Sequence, residues 1–307
     1  MKPVPDGLIL LHKQPGITSF DSLRDIKRQL GSGKAGHTGT LDKFAEGLLL
    51  VLTGKALKLS RWFTHCDKQY EGTILFGTET ETLDPEGAVI ATAPLPTRQA
   101  VEQSLAQFRG AIMQAPPAYS ALHIDGERAS VLARRGEAPE MQKRPIHIHR
   151  LELLSWDPPH ARIYVHCSAG TYIRSLARDI ALAANSRAHL STLLRTHVAG
   201  FELGTKVLRS NAEGEEDQTV LPLFPITKDV FAALGIPCLD ISPQDAQKAI
   251  HGKPLAQILH NSLPLPDAQS NTLALFSENE LIAVIEKAKT TDPSEPHWTY
   301  GYVYARN

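Results

Sequence analysis

Apolar residues in this chain come mostly in short runs bounded by turn formers. Leu8-Ile9-Leu10-Leu11 leads into Pro15-Gly16, and Leu48-Leu49-Leu50-Val51-Leu52 ends at Thr53-Gly54. Continuous runs of this length predict buried strands. Tyr70–Gly77 and Arg162–Cys167 instead alternate apolar and polar, the period of a strand with one buried face. Helical spacing is found in three places. Leu23, Ile26 and Leu30 share a face, with Thr18 or Ser19 as cap, Asp21 as capping partner and Gly31 as stop. Val101, Leu105 and Phe108 follow a Thr97 cap and end at Gly110. Ile173, Leu176 and Ile180 form a third apolar face, with Arg174 and Arg178 together off it. Lys55–Thr64 also reads as helical.

The character changes late in the chain. Asn211–Gln218 is polar and acidic, a loop or linker, and Pro222, Pro225 and Pro237 punctuate the boundary beyond it. Ser242–His251 then predicts a short helix before Gly252-Lys253-Pro254. Leu273–Ser277 and Leu281–Glu286 predict two strands joined by a turn. A length of 307 residues favours about two domains. The pattern therefore predicts an α+β protein, with a mixed domain over 1–235 and a small β-rich one over 236–307.

Composition narrows the class. At 42% hydrophobic and 21% charged residues the chain reads as globular. The apolar run at 7–11 is too short for a signal segment, and nothing approaches membrane-spanning length. Cys66, Cys167 and Cys238 form no Cys-x-x-Cys pair, which fits a reducing cytoplasm and argues against a zinc ribbon. A net charge of −1 announces no polyanion, but its distribution is uneven. Residues 1–61 carry ten Lys or Arg against five Asp or Glu. Arg162, Arg174, Arg178, Arg187 and Arg195 face Asp179 alone over 162–195, while acid gathers at 79–86 and 213–217. Segregation of this kind suits a nucleic-acid surface or an ordinary solvated one.

Two motifs suggest cofactors and fail on context. Gly31-Ser32-Gly33-Lys34-Ala35-Gly36 is formally G-x-G-x-x-G, but it follows a predicted helix, whereas a dinucleotide fingerprint must follow a strand. His147 and His149 point the same way on a strand, but a metal needs further ligands and the sequence signposts none. No cofactor and no metal are predicted.

The segment with the densest chemistry is Gly36-His37-Thr38-Gly39-Thr40-Leu41-Asp42, followed by Lys43-Phe44-Ala45-Glu46-Gly47. Glycines and small hydroxyls there predict a tight hydrogen-bonded loop. A lone Asp in such a loop is ordinarily a turn former or a cap. The whole string, however, resembles the catalytic motif of the TruB family, the tRNA pseudouridine-55 synthases, whose Asp is the nucleophile. Four further stretches resemble the same family. They are Lys13–Ser19; Lys68-Gln69-Tyr70 with Thr78–Gly87; Gln114–His123; and Cys167–Asp179 with Leu193-Leu194-Arg195-Thr196.

The resemblance implies a pseudouridine synthase fold, a largely antiparallel central sheet flanked by helices, with a PUA-like RNA-binding domain at the C-terminus. It implies Asp42, Tyr70 and Arg174 as catalytic residues. Lys13, His37, Thr38, Gly39, Thr40, Tyr172 and Leu194 would contact RNA or substrate. Tyr70 would stack on the target base and is the weak candidate for removing its C5 proton, Arg174 would pair with Asp42, and Leu194 would wall the base. The partner implied is the T-stem-loop of tRNA. The chain has no Lys-rich tail of the guide-RNA-dependent relatives, so no obligatory protein partner is expected. His12, Gln14, Lys43 and His123 depart from the family pattern, Lys43 standing where a proline is usual. A non-catalytic RNA-binding module on the same scaffold is the rival reading, but it would not need Asp42, Tyr70 and Arg174 together.

Overall fold

The strand Glu46–Thr53 is buried along almost its whole length because it is covered on both sides. Leu48, Leu50 and Leu52 pack into one apolar cluster, and Leu49 and Val51 into another on the opposite face. A strand covered twice needs no alternation, which is why its sequence is a continuous apolar run. The structure is a computed structural model describing residues 4–31, 33–137, 140–204, 208–209, 222–259, 270–288 and 298–304. The acidic segment 211–218 lies outside the described residues.

Around this strand the chain forms a mixed, mainly antiparallel sheet. Its order is Leu208–Arg209, Gly7–Lys13, Glu46–Thr53, Ala188–Val198, Lys68–Phe76, His160–Cys167, Arg144–Asp157 and Gly110–Gln114. Ala35–His37 pairs with Glu46–Thr53, and Phe201–Glu202 with Ala188–Val198. Two contacts are parallel, Leu208–Arg209 with Gly7–Lys13 and Ala188–Val198 with Glu46–Thr53. The late strand Ala188–Val198 thus enters the sheet between two early ones.

Helix Ile173–Ala183 lies on one face, with Ile173, Leu176, Ala177 and Ile180 buried against Ile74, Ile163, Val165 and Leu190. Burial of such side chains contributes about 1.5–3 kcal/mol each. Helix Arg98–Gln107 joins the same core through Val101 and Leu105, capped by the Thr97 hydroxyl, which accepts from the Ala100 N–H at 3.2 Å. Thr18 Oγ1 accepts from the Asp21 N–H at 3.1 Å at the start of a 3-10 turn, Asp21–Leu23, that runs into helix Arg24–Gln29, and Gly31 stops the chain at φ +59°. Lys55–Thr64 is helical as expected, though its first part is 3-10 (Gly54–Leu59) and only Ser60–Thr64 is α.

A smaller sheet comes next, in the order Cys238–Asp240, Thr272–Ser277, Glu280–Lys287 and Trp298–Val303. Helices Pro243–Ile250 and Ala256–Leu259 pack on it through Ala246, Ala249, Ile258 and Leu259. Its other face, with Ala274, Phe276 and Val284, shares a core with Trp62, Phe63 and Phe231. Trp62 Nε1 donates to Glu286 at 2.9 Å across this junction. Among the described residues no helix is long and apolar enough to cross a membrane.

Candidate active site

The loop carrying Asp42 is held through its carbonyls. Strand Ala35–His37 delivers the chain, and the Thr38 N–H continues the ladder by donating to Leu50 O at 3.0 Å. Beyond that point alternate carbonyls are gripped by other segments. Arg195 donates to Gly39 O (3.0 Å), and the Ser19 hydroxyl donates to Leu41 O (2.9 Å). Lys13 Nζ donates to Lys43 O (3.3 Å) and Ala45 O (2.6 Å). Arg195 Nε also donates to Leu48 O at 2.7 Å. Gly47 has φ +115°, and an added Cβ there would stand 2.3 Å from Arg195 O. Only glycine fits a left-handed residue pressed on another backbone.

With its main chain fixed, the loop turns the Asp42 carboxylate onto Arg174. Arg174 Nε lies 2.9 Å from Asp42 Oδ2, and Nη2 donates to Oδ1 at 3.1 Å. The Nε approach lies off the hydrogen-bond axis and is an ion-pair contact. The guanidinium reaches further. Nη1 donates to Thr82 O (2.6 Å) and to Asp84 Oδ2 (3.1 Å), and Nη2 to Tyr119 O (3.0 Å). Arg174 therefore joins four separate parts of the chain, and it is 4% exposed although it lies off the helix's apolar face.

Asp84 is missing from the site residues expected from sequence, although its Thr-x-Thr-x-Asp-x-x-Gly stretch stood out. Its Oδ1 accepts from the Thr82 hydroxyl (2.5 Å) and the Glu86 N–H (3.0 Å), which aims Oδ2 at Arg174. Gln114 and Arg195 were missed likewise. The Gln114 side-chain amide clamps the backbone of Tyr172, accepting from its N–H at 2.9 Å and donating to its carbonyl at 3.1 Å. That clamp fixes the residue before the helix that carries Arg174.

Two carboxylates sharing one guanidinium shape the charge state. The Asp42 pKa is raised, first because surrounding protein desolvates the carboxylate. Arg174 opposes the shift and the Asp84 charge adds to it. The Asp42 side chain nevertheless keeps 38% of its surface open, so it is reachable from solvent rather than enclosed in the core. Tyr70, on strand Lys68–Phe76, is 7% exposed, and burial raises its phenol pKa against the influence of Arg195. A phenol kept protonated in this way is a poor resting base. His37 is half-buried and its pKa is lowered by desolvation and then by Arg195, which keeps the imidazole neutral. Tyr172 is half-buried; burial raises its pKa and Ser120 opposes the shift. Thr38 is buried and Thr40 exposed.

The structure places three groups of residues in ways the sequence pattern does not show. Lys13 is 0% exposed with its ammonium directed at carbonyls, so it shapes the Asp42 loop rather than presenting a surface cation. Leu194 pairs with Glu71 while Arg195 pairs with Tyr70, so Leu194 projects from the opposite face to Tyr70. Leu193 is the leucine packed in the core with Tyr70. A bulge between Leu190 and Thr192 shifts the alternation by one residue. The arginines of 162–195 also do not form a free basic face. Arg162 pairs with Glu71, Arg178 with Asp179 and Arg187 with Glu79, each at 2.8 Å, and Arg174 and Arg195 are buried.

Known proteins resemble this chain in sequence and in fold. The family model described as TruB family pseudouridylate synthase (N terminal domain) matches residues 27–173. A protein of Azoarcus sp. strain BH72 named tRNA pseudouridine synthase B is 36% identical over 288 residues, 92% of this chain and 91% of its own. The protein of that name from Borreliella burgdorferi strain ZS7 is 43% identical over 209 residues, 67% of this chain and 74% of its own. Among solved structures, a chain of a Cbf5-Nop10-Gar1 complex aligns with TM-score 0.71 at 23% identity. The alignment covers 97% of this chain and 85% of that one, a likeness of fold. With the Asp42–Arg174 centre on this fold and relatives of this identity and coverage, the chain belongs to the TruB family of pseudouridylate synthases.

Proposed function

We propose that this enzyme converts uridine-55 in the T-loop of tRNA to pseudouridine, with Asp42 as nucleophile. The observation carrying this reading is a carboxylate gripped by a buried guanidinium yet still 38% open. Oriented and reachable, it meets the two demands on a nucleophile. The relatives named tRNA pseudouridine synthase B support tRNA as the substrate.

The reaction is an isomerisation. The bond from C1′ to N1 breaks, the uracil turns, a bond from C1′ to C5 forms, C5 loses its proton and N1 gains one. Atoms and electrons balance without a cofactor. Asp42 attacks at the ribose or at the base ring, and Arg174 holds its carboxylate in line. Tyr70 forms the aromatic floor for the base, where stacking is worth about 1–3 kcal/mol. Tyr70 or a water takes the C5 proton; burial keeps the Tyr70 phenol protonated in the resting enzyme.

The target base must leave its stack, at a cost of a few kcal/mol. His37, neutral and at the edge of the site, would fill the space vacated in the RNA. Thr40, exposed in the same loop, and Tyr172 would line the path of the extruded nucleotide. Residues 1–235 would form the catalytic domain and 236–307 a PUA-like RNA-binding domain, with no obligatory protein partner.

Release of tritium from C5-labelled uridine in a T-stem-loop RNA tests the reading. The purified wild type is expected to release it, and Asp42→Asn to bind the RNA and release none. Turnover by Asp42→Asn would remove Asp42 as nucleophile. Binding without release by the wild type would favour a non-catalytic RNA-binding module.

A further inference from the structure

On the face of the main sheet turned away from Tyr70, side chains from three separated segments converge. Gln69 pairs with His166 while Tyr70 pairs with Val165, so His166 projects to the side opposite the core that holds Tyr70 and Val165. His149 is the extra residue of a bulge between Ile148 and Arg150 in the neighbouring strand. Asp67 stands just before strand Lys68–Phe76, and its carbonyl accepts from the Ala199 N–H at 2.9 Å.

We propose that Asp67, His149 and His166 form a binding site for a divalent transition-metal ion of the zinc class. Asp67 Oδ2 lies 3.0 Å from His149 Nε2 and 3.9 Å from His166 Nε2. The three ligand atoms all lie within 4.8 Å of one another. Zinc bonds of about 2.1 Å in a tetrahedral arrangement put neighbouring ligand atoms about 3.4 Å apart. One separation is already near that value, and side-chain rotation at the sheet surface closes the others. Two imidazoles with one carboxylate select zinc, nickel, cobalt or copper over magnesium and calcium, which take oxygen ligands.

The surroundings leave room for the rest of a coordination sphere. The side chains of Asp67, His149 and His166 are 45%, 36% and 33% exposed, so an ion can enter from solvent. Asp67 and His166 also line a cleft of about 830 Å³ that continues past Cys66 and Arg61 to Glu286 of the small sheet. Water or an external ligand can complete the site from that side. The His147 ring lies 4.7 Å from that of His149. Along the sequence only His147 and His149 stand close together. The other two ligands lie far from both along the chain, and the sheet brings them to His149 rather than to the pair.

Calorimetric titration of zinc chloride into the untagged, chelator-treated full chain at neutral pH tests the proposal. One equivalent is expected to bind. His149→Gln and His166→Gln should each weaken binding at least about tenfold, the loss that removal of even a supporting hydrogen-bond partner produces. Zinc should raise the thermal midpoint of the wild type but not that of the double variant, and magnesium should raise neither. Both histidines lie at the surface, so a matching unfolding midpoint of metal-free wild type and variant checks the fold. Absence of zinc binding by the folded wild type, or undiminished binding by the double variant, would overturn the site.

Discussion

Arg174 and Asp84 meet at 3.1 Å with side chains only 5% and 6% exposed, while the same guanidinium holds the far more open Asp42. One carboxylate anchors the arginine and the other is presented. A buried ion pair broken on one side leaves an uncompensated charge, which costs about 3 kcal/mol or more. Asp84→Asn is nearly isosteric, so its effect isolates the charge. It is expected to lower urea-unfolding stability by roughly that amount and to reduce turnover as Arg174 loses its fixed position. Unchanged stability and turnover would mean that Asp42 alone suffices to hold the guanidinium.

Asp84 also sets a pH limit. The Asp42 pKa is raised, so this carboxylate protonates at a higher pH than an ordinary aspartate as the solution is acidified. Turnover should therefore fall on the acid side, through that raised value. Asp84 is one of the charges raising it, and Asp84→Asn should move the acid limb to lower pH. A profile of kcat/KM against pH for both proteins measures the shift, and an acid limb moving upward would contradict the assigned sign.

Lys13 leaves its mark on stability in alkali. Burial lowers its pKa from 10.5 to about 8, with the Asp42 charge opposing the shift. Between these values the unfolded chain binds the proton and the folded one does not. Stability therefore rises with pH across that window, by at most about 1.4 kcal/mol per unit. Lys13→Met removes this contribution. The stability difference between wild type and Lys13→Met should grow in favour of the wild type from neutral to mildly alkaline pH. Lys68, also lowered to about 8, is common to both proteins and cancels.

Gly47→Ala tests the backing of the loop. Its Cβ would meet Arg195 O, N and C at 2.3, 2.6 and 2.9 Å, all backbone atoms that cannot swing aside. The positive φ alone costs roughly 1–3 kcal/mol for a non-glycine residue. A lower thermal midpoint together with lost turnover is expected. An alanine variant as stable and active as the wild type would show that the two strands can part without consequence.

The candidate site was legible in sequence wherever an element follows from its own local pattern. The loop around Asp42, the strand with Tyr70 and the helix beginning after Tyr172 all formed where their patterns placed them. What escaped depends on long-range register. The bulge at Ser191 decides which of two adjacent leucines faces Tyr70, and no local pattern marks it. Lys13 reads as a surface cation until strand pairing brings the carbonyls of Lys43 and Ala45 over it. Asp84 sits in a turn that looks complete by itself, and its charge acquires a purpose only from an arginine 90 positions away.

The entry of Ala188–Val198 between Glu46–Thr53 and Lys68–Phe76 has a consequence for how the chain is made. Synthesis delivers the two flanking strands more than a hundred residues before the strand that separates them. Were they to zip together at once, the sheet would close without its middle. Any early pairing of those two strands with each other has to give way before the late strand can take its place. Such delayed non-local pairing makes folding slow and sensitive to aggregation. The centre around Asp42 therefore cannot ripen during translation of the half that encodes it. The arrangement around Asp42 is complete only after Arg174 and the strand Ala188–Val198 have joined it.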